Sequence, residues 1–118
     1  MDAQTAAEKI VRAGYGDVIS NIPSRSLSFR VQIVKSDVDV IRLVSSYNEF
    51  DGDATADAVG AILDADAAYE VTFGRANSPV LHVWAKPGKL EQVRNILKRL
   101  NPGELDEVGN DTLRAWWD

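Results

Sequence analysis

One His, at position 82, and no Cys narrow the chemistry open to this 118-residue chain before any fold is considered. Thiol catalysis, disulfides and Cys-ligated zinc are excluded. His82 falls in the middle of a strand pattern with no acidic neighbour in sequence, which is the setting of a surface residue rather than of a general base. No nucleophile elbow is present to complete a Ser–His–Asp triad. Gly14 and Gly16 lack the preceding strand of a dinucleotide fingerprint, and no Gly-rich loop is placed to cradle phosphate. Asp51-Gly52-Asp53-Ala54-Thr55-Ala56-Asp57 sets oxygen ligands at alternate positions, as a calcium loop begins. The loop's sixth-position Gly is Ala56, however, and its closing Glu is Ile62. Helix capping accounts for the same acids. The expectation is a protein without metal or cofactor, and not an enzyme.

What remains are residues suited to binding. Trp and Arg are common anchors of protein interfaces. Arg30, Arg42, His82 and Trp84 form one candidate set, Asp51, Asp53 and Asp57 a second, and the Trp116-Trp117 pair a third. Charge is distributed in blocks. Seven acids and no base lie between Glu49 and Glu70, five bases and one acid between Lys86 and Arg99, and the tail from Glu104 carries five acids against Arg114 alone. The net charge is −5. Phosphate neutralisation supplies most non-specific affinity for nucleic acid, so so acidic a chain is not expected to bind it in general. A solvated face explains such blocks, as does an acidic surface for a basic partner, where charge acts on association rate and specificity.

The elements that must position these residues follow from periodicity. Hydrophobic residues make up 45% and charged residues 26%, which suits one globular domain with a real core and rules out disorder. No apolar run approaches the ~18 residues of a membrane span. The start of the chain lacks the pattern of a signal peptide, so a cytoplasmic protein is expected. Asp2 to Gly14 reads as an Ala-rich amphipathic helix, ended by Gly14 and Gly16 and followed by a linker to residue 22. Leu27 to Lys35 alternates as a strand, and Val38 to Ser46, rich in β-branched residues, reads as a second. A helix follows from about Ala54 to Ala65, with Asp53 or Thr55 as N-cap and Ala58, Val59, Ile62 and Leu63 as its stripe. Tyr69 to Phe73 and Val80 to Ala85 are strands around a turn at Gly74 to Pro79. Leu90, Val93, Ile96, Leu97 and Leu100 form the clearest helical stripe, and Asn101-Pro102-Gly103 ends it. A last short helix is expected from about Asp111.

Laying Phe29–Ser46 over Tyr69–Lys86 needs no gap, and Val59, Ile62 and Leu63 then meet Val93, Ile96 and Leu97. Each copy reads as strand–strand–helix. The expected fold is a single α+β domain, αββαββα plus tail, with a four-stranded antiparallel sheet and helices mainly on one face. Its parts are 1–22, a first ββα unit at 27–66, a second at 67–101, and a tail at 102–118. Alternation turns Phe29, Val31, Ile33, Ile41, Leu43, Tyr69, Val71, Phe73, Leu81 and Val83 inward. It turns Arg30, Gln32, Val40, Arg42, Val44, Glu70, Thr72, Val80, His82 and Trp84 outward. That outer face is mixed, and its apolar members exceed what a monomer commonly leaves bare. The N-terminal helix, the tail, a second copy or a partner would cover it.

Val59-Gly60-Ala61-Ile62-Leu63-Asp64-Ala65-Asp66-Ala67 resembles the LAGLIDADG motif of homing endonucleases over nine residues. The string runs into a strand at Tyr69, as in that family. The resemblance implies a nucleic-acid-binding or degenerate endonuclease domain in which Asp66 would bind the divalent metal. The chain departs from the family where Ala67 replaces the final Gly, where the motif sits on the middle helix, and in being acidic. Read from the residues, the first expectation is a small acidic binding module for another protein or a second copy of itself. The endonuclease-like domain is the alternative, and a viral or mobile-element protein with DNA-like acidity a third.

Overall fold

The computed structural model describes residues 29–42, 49–76 and 78–117. The N-terminal helix expected over 2–14, and the positions of Leu43 and Val44, lie outside them. So do the side chains of Phe29, Arg30, Val31 and Val40. The described strands are β1 (Phe29–Gln32), β2 (Ala68–Ala76), β3 (Ser78–Ala85), β4 (Glu104–Gly109) and β5 (Thr112–Trp116). The helices are α1 (Asp39–Arg42), α2 (Gly52–Asp64) and α3 (Leu90–Lys98), with a 3-10 turn at Lys35–Asp37. The strands form one antiparallel sheet in the order β1-β2-β3-β5-β4, which makes the class α+β.

Alternation divides this sheet into two faces. Val71, Phe73, Leu81, Val83, Leu113 and Ala115 are all fully buried on the inner face, together with Val59 and Ile62 of α2 and Val93 and Leu97 of α3. Each such aliphatic side chain contributes roughly 1.5–3 kcal/mol through burial. The two helical stripes thus meet one core, as their matching spacing predicts. Leu63 and Ile96 sit at its margin, partly buried.

The structure corrects the expected elements in the first unit and in the tail. Over 39–42 the chain is helical instead of extended. Val40 and Ile41 favour strands, but intrinsic β-propensity is weak beside tertiary context. One helical turn places Asp39 three residues before Arg42, whose Nε donates to Asp39 Oδ1 at 2.8 Å. It also buries Ile41 completely and directs Arg42 to α2. β1 pairs with β2, Val31 opposite Phe73, and among the described residues has no hairpin partner of its own. Over 39–42 the first unit thus departs from the second, whose matching residues 79–82 lie in β3. The tail, expected to be helical from about Asp111, is the β4–β5 hairpin instead. Its turn sits at Asn110-Asp111, with Asp111 at φ 55°, a conformation Asn and Asp tolerate. Five strands are described where four are expected: among the described residues of 27–46 only β1 is a strand, and a hairpin at 104–116 is present. Strands β2 and β3 also extend through the residues read as a turn, leaving only position 77 between them.

Two local devices finish the frame. Asp51, not Asp53 or Thr55, caps α2: its Oδ1 accepts from the Ala54 N–H at 3.1 Å. At the other end Ala67 N–H donates to Ile62 O and Asp66 N–H to Leu63 O, both at 3.1 Å. This is a Schellman cap with Asp66 in the left-handed conformation at φ 54°. The LAGLIDADG-like string therefore ends in a helix cap, with Ala67 buried beneath it.

Candidate binding face

The register of the sheet lays the outer face out as a grid. Glu70, Trp84 and Thr112 form one row across β2, β3 and β5. Gln32, Thr72, His82, Arg114 and Asp106 form the next, crossing all five strands. Val80, Trp116 and Glu104 continue the third, in which Arg30 holds the β1 position opposite Gly74. Directly opposed side chains in such a grid stand ~4.5–5.5 Å apart at Cβ, close enough to act together.

Two exposed aromatic side chains meet at one end. Tyr69 is 55% and Trp84 47% exposed, and their rings touch with centroids 4.8 Å apart at 49°. Tyr69 was expected to face the core. A β-bulge between Ala68 and Glu70 inserts it as an extra residue, so Ala68 turns inward and Tyr69 outward. The Lys86 Nζ stands 5.6 Å from the Tyr69 ring centroid and pairs with Asp66 at 2.5 Å. That hydrogen bond from Lys86 holds the Asp66 carboxyl below its ordinary range. The residue that the endonuclease resemblance would assign to metal is thus engaged with an ammonium. Among the described residues no three His, Asp or Glu side chains gather as a metal site requires.

Beside Trp84 lies an open hollow of about 200 Å³ lined by Glu70, Thr72, His82, Trp84 and Thr112. Thr72 Oγ1 is buried in its wall without a hydrogen-bond partner. Among the described residues no cation pairs with Glu70. His82 is half-buried and flanked in register by Thr72 and Arg114, neither of which is a carboxylate. At the far end Arg114 lies 5.9 Å from the Trp116 ring centroid and serves two carboxylates, Glu104 at 3.0 Å and Asp106 at 3.3 Å.

The other candidates are placed elsewhere. Trp117 is not a surface anchor. It is 1% exposed, its indole N–H donates to Leu100 O at 3.0 Å, and Phe50 meets it edge-on at 5.3 Å. The Trp pair was expected on a helix, ~100° apart; on a strand they point to opposite faces, Trp116 out and Trp117 in. Arg42 leaves the outer face altogether. It binds Asp57 at 2.7 Å and Asp53 at 3.3 Å, joining α1 to α2, and these bonds raise its pKa. The acidic stretch thus holds a cap and an ion-pair network. The sequence did carry a signal for the tail hairpin: Leu113, Ala115 and Trp117 alternate after the turn-forming pair Asn110-Asp111.

Compared with known proteins, the chain matches no family model, no curated protein and no solved structure. Among the described residues no helix is long and apolar enough to cross a membrane.

Proposed function

We propose that this protein is a non-enzymatic binding module that engages another protein through the outer face of its sheet. The observation that carries this reading is the exposed Tyr69–Trp84 pair. A bulge directs Tyr69 away from the core and against Trp84, although an inward Tyr would have added to burial. Trp and Tyr are the side chains that most often anchor interfaces, since each supplies a large contact area at low entropic cost. Thr72, His82, Thr112 and Arg114 add polar groups around them, as a partly polar interface requires.

The test compares immobilised wild-type chain with the Tyr69→Ala/Trp84→Ala double variant in capture from the native cell extract. The wild type is expected to retain a protein that the variant loses, while both keep the same circular-dichroism spectrum. Identical captured sets would overturn the assignment of the face. Sedimentation of the purified chain covers the self-association form: a dimer that the double variant converts to monomer identifies the partner as a second copy.

A further inference from the structure

We infer that the hollow beside Trp84 receives an arginine side chain from a basic segment of the partner protein. This inference rests on the binding-module reading and specifies its chemistry. Three features of the hollow point the same way. The first is size. Pockets for small organic ligands run to ~300–1,000 Å³, whereas about 200 Å³, open to solvent, is the space of a single inserted side chain. The second is the wall. Trp84 and Glu70 are direct cross-strand partners, so an aromatic face and a carboxylate border the same space. A guanidinium is the side-chain group that can stack on an indole and at the same time donate two parallel hydrogen bonds to a carboxylate. The third is charge. No cation of the described chain neutralises Glu70, while the aromatic ring beyond it, Tyr69, already carries the Lys86 ammonium at 5.6 Å. A cationic arrival would meet an open Trp84 face and an unneutralised carboxylate.

The surroundings extend the complementarity. Farther across the face, Glu104 and Asp106 share the single Arg114, and the chain as a whole carries −5. Glu70, Glu104 and Asp106 together outnumber Arg114, which favours the approach of a basic segment. The Thr112 hydroxyl, which donates to Asn110 O, keeps its lone pairs as acceptors at the hollow.

The probe is an acetylated arginine–glycine octapeptide, followed by amide and indole NMR shifts of the full chain, with the lysine–glycine octapeptide as comparator. Saturable shifts confined to Glu70, Thr72, His82, Trp84 and Thr112, including the Trp84 indole N–H, are expected, with weaker binding by the lysine peptide. Glu70→Gln and Trp84→Ala are each expected to weaken the arginine peptide about tenfold, as loss of a charge-assisted hydrogen bond or of a cation–π contact does. Asp64→Asn, on α2, leaves affinity unchanged. Both altered side chains are exposed, so folding is preserved, and thermal melts verify it. Shifts scattered over all acidic residues, with equal affinity in Glu70→Gln, would mean attraction by net charge and overturn the inference. So would the absence of any shift, or a face closed by dimerisation in sedimentation. A protein captured by wild type and lost in the Tyr69→Ala/Trp84→Ala variant, with no response to the arginine peptide, would reject the arginine site and leave the binding module standing.

Discussion

Trp117 and Trp84 belong to opposite faces of one sheet, and the molecule treats them in opposite ways. Trp117 is 1% exposed, hydrogen-bonded through its indole and packed on Phe50. Trp84 is 47% exposed and touches Tyr69, itself 55% exposed. The inner face is closed by α2 and α3 and consists of aliphatic and aromatic groups at full burial. The outer face carries polar groups at alternate positions with aromatic rings at both ends. On the proposed function, stability and recognition are separated by the period of two along each strand. A side chain's face, more than its type, decides which it serves.

The largest expected effect tests the inner face. Trp117→Ala removes a filled aromatic volume and leaves the Leu100 carbonyl without its donor, so a loss of ~3–5 kcal/mol in urea unfolding is expected. A loss below about 1 kcal/mol would mean that the tail hairpin is an accessory to the core. Next comes a pair on α3. Leu97 is fully buried and Ile96 only partly. Leu97→Ala is expected to cost ~2–5 kcal/mol and Ile96→Ala roughly half as much. The reverse order would mean that the helix is rotated from the position described.

A smaller effect concerns Arg42, which stands outside both faces. Its side chain is partly solvated, so the network with Asp39, Asp53 and Asp57 is screened, and Arg42→Ala is expected to cost about 1 kcal/mol. Its pH dependence is more diagnostic. The hydrogen bond from Arg42 lowers the Asp39 pKa in the folded state. A lowered folded pKa gives stability that is present above the unfolded value, near ~4, and is lost as pH falls through the folded one. Wild type is expected to lose this contribution below about pH 4, and Arg42→Ala to show a smaller loss there. Parallel profiles for the two proteins would place the origin of acid sensitivity elsewhere.

The comparison also shows which signals in a sequence survive folding. The stripes of α2 and α3 and the alternation of Val71, Phe73, Leu81 and Val83 were legible because each is a regular pattern buried against one core. Residues 39–42 were not. Val40 and Ile41 spell a strand, whereas the helical turn goes with tertiary contacts that no local pattern displays: Ile41 is fully buried, and Arg42 reaches Asp53 and Asp57, eleven and fifteen residues away. The internal repeat therefore matches structure at β1 and β2 and at α2 and α3, but not over 39–42. Tyr69 was assigned to the core because a single bulge inverts alternation, and a bulge leaves little trace in composition. Of the candidate site, Trp84 and His82 were placed on the correct face by alternation alone. Glu70 and Thr72 fall on that face by the same alternation, and only Thr112 joins the hollow through the β3–β5 register, on a strand whose residues read as a helix. Arg42 and Trp117 were drawn from the right residue types but serve the frame.

The central claim is that the aromatic pair on the outer face serves recognition and not folding. Urea unfolding of Trp84→Ala beside Trp117→Ala measures it most directly. The account predicts a loss of about 1 kcal/mol for Trp84→Ala, the size of a half-exposed ring contact, against ~3–5 kcal/mol for Trp117→Ala. Equal losses for the two tryptophans would contradict it, because the outer face would then be part of what holds the protein together.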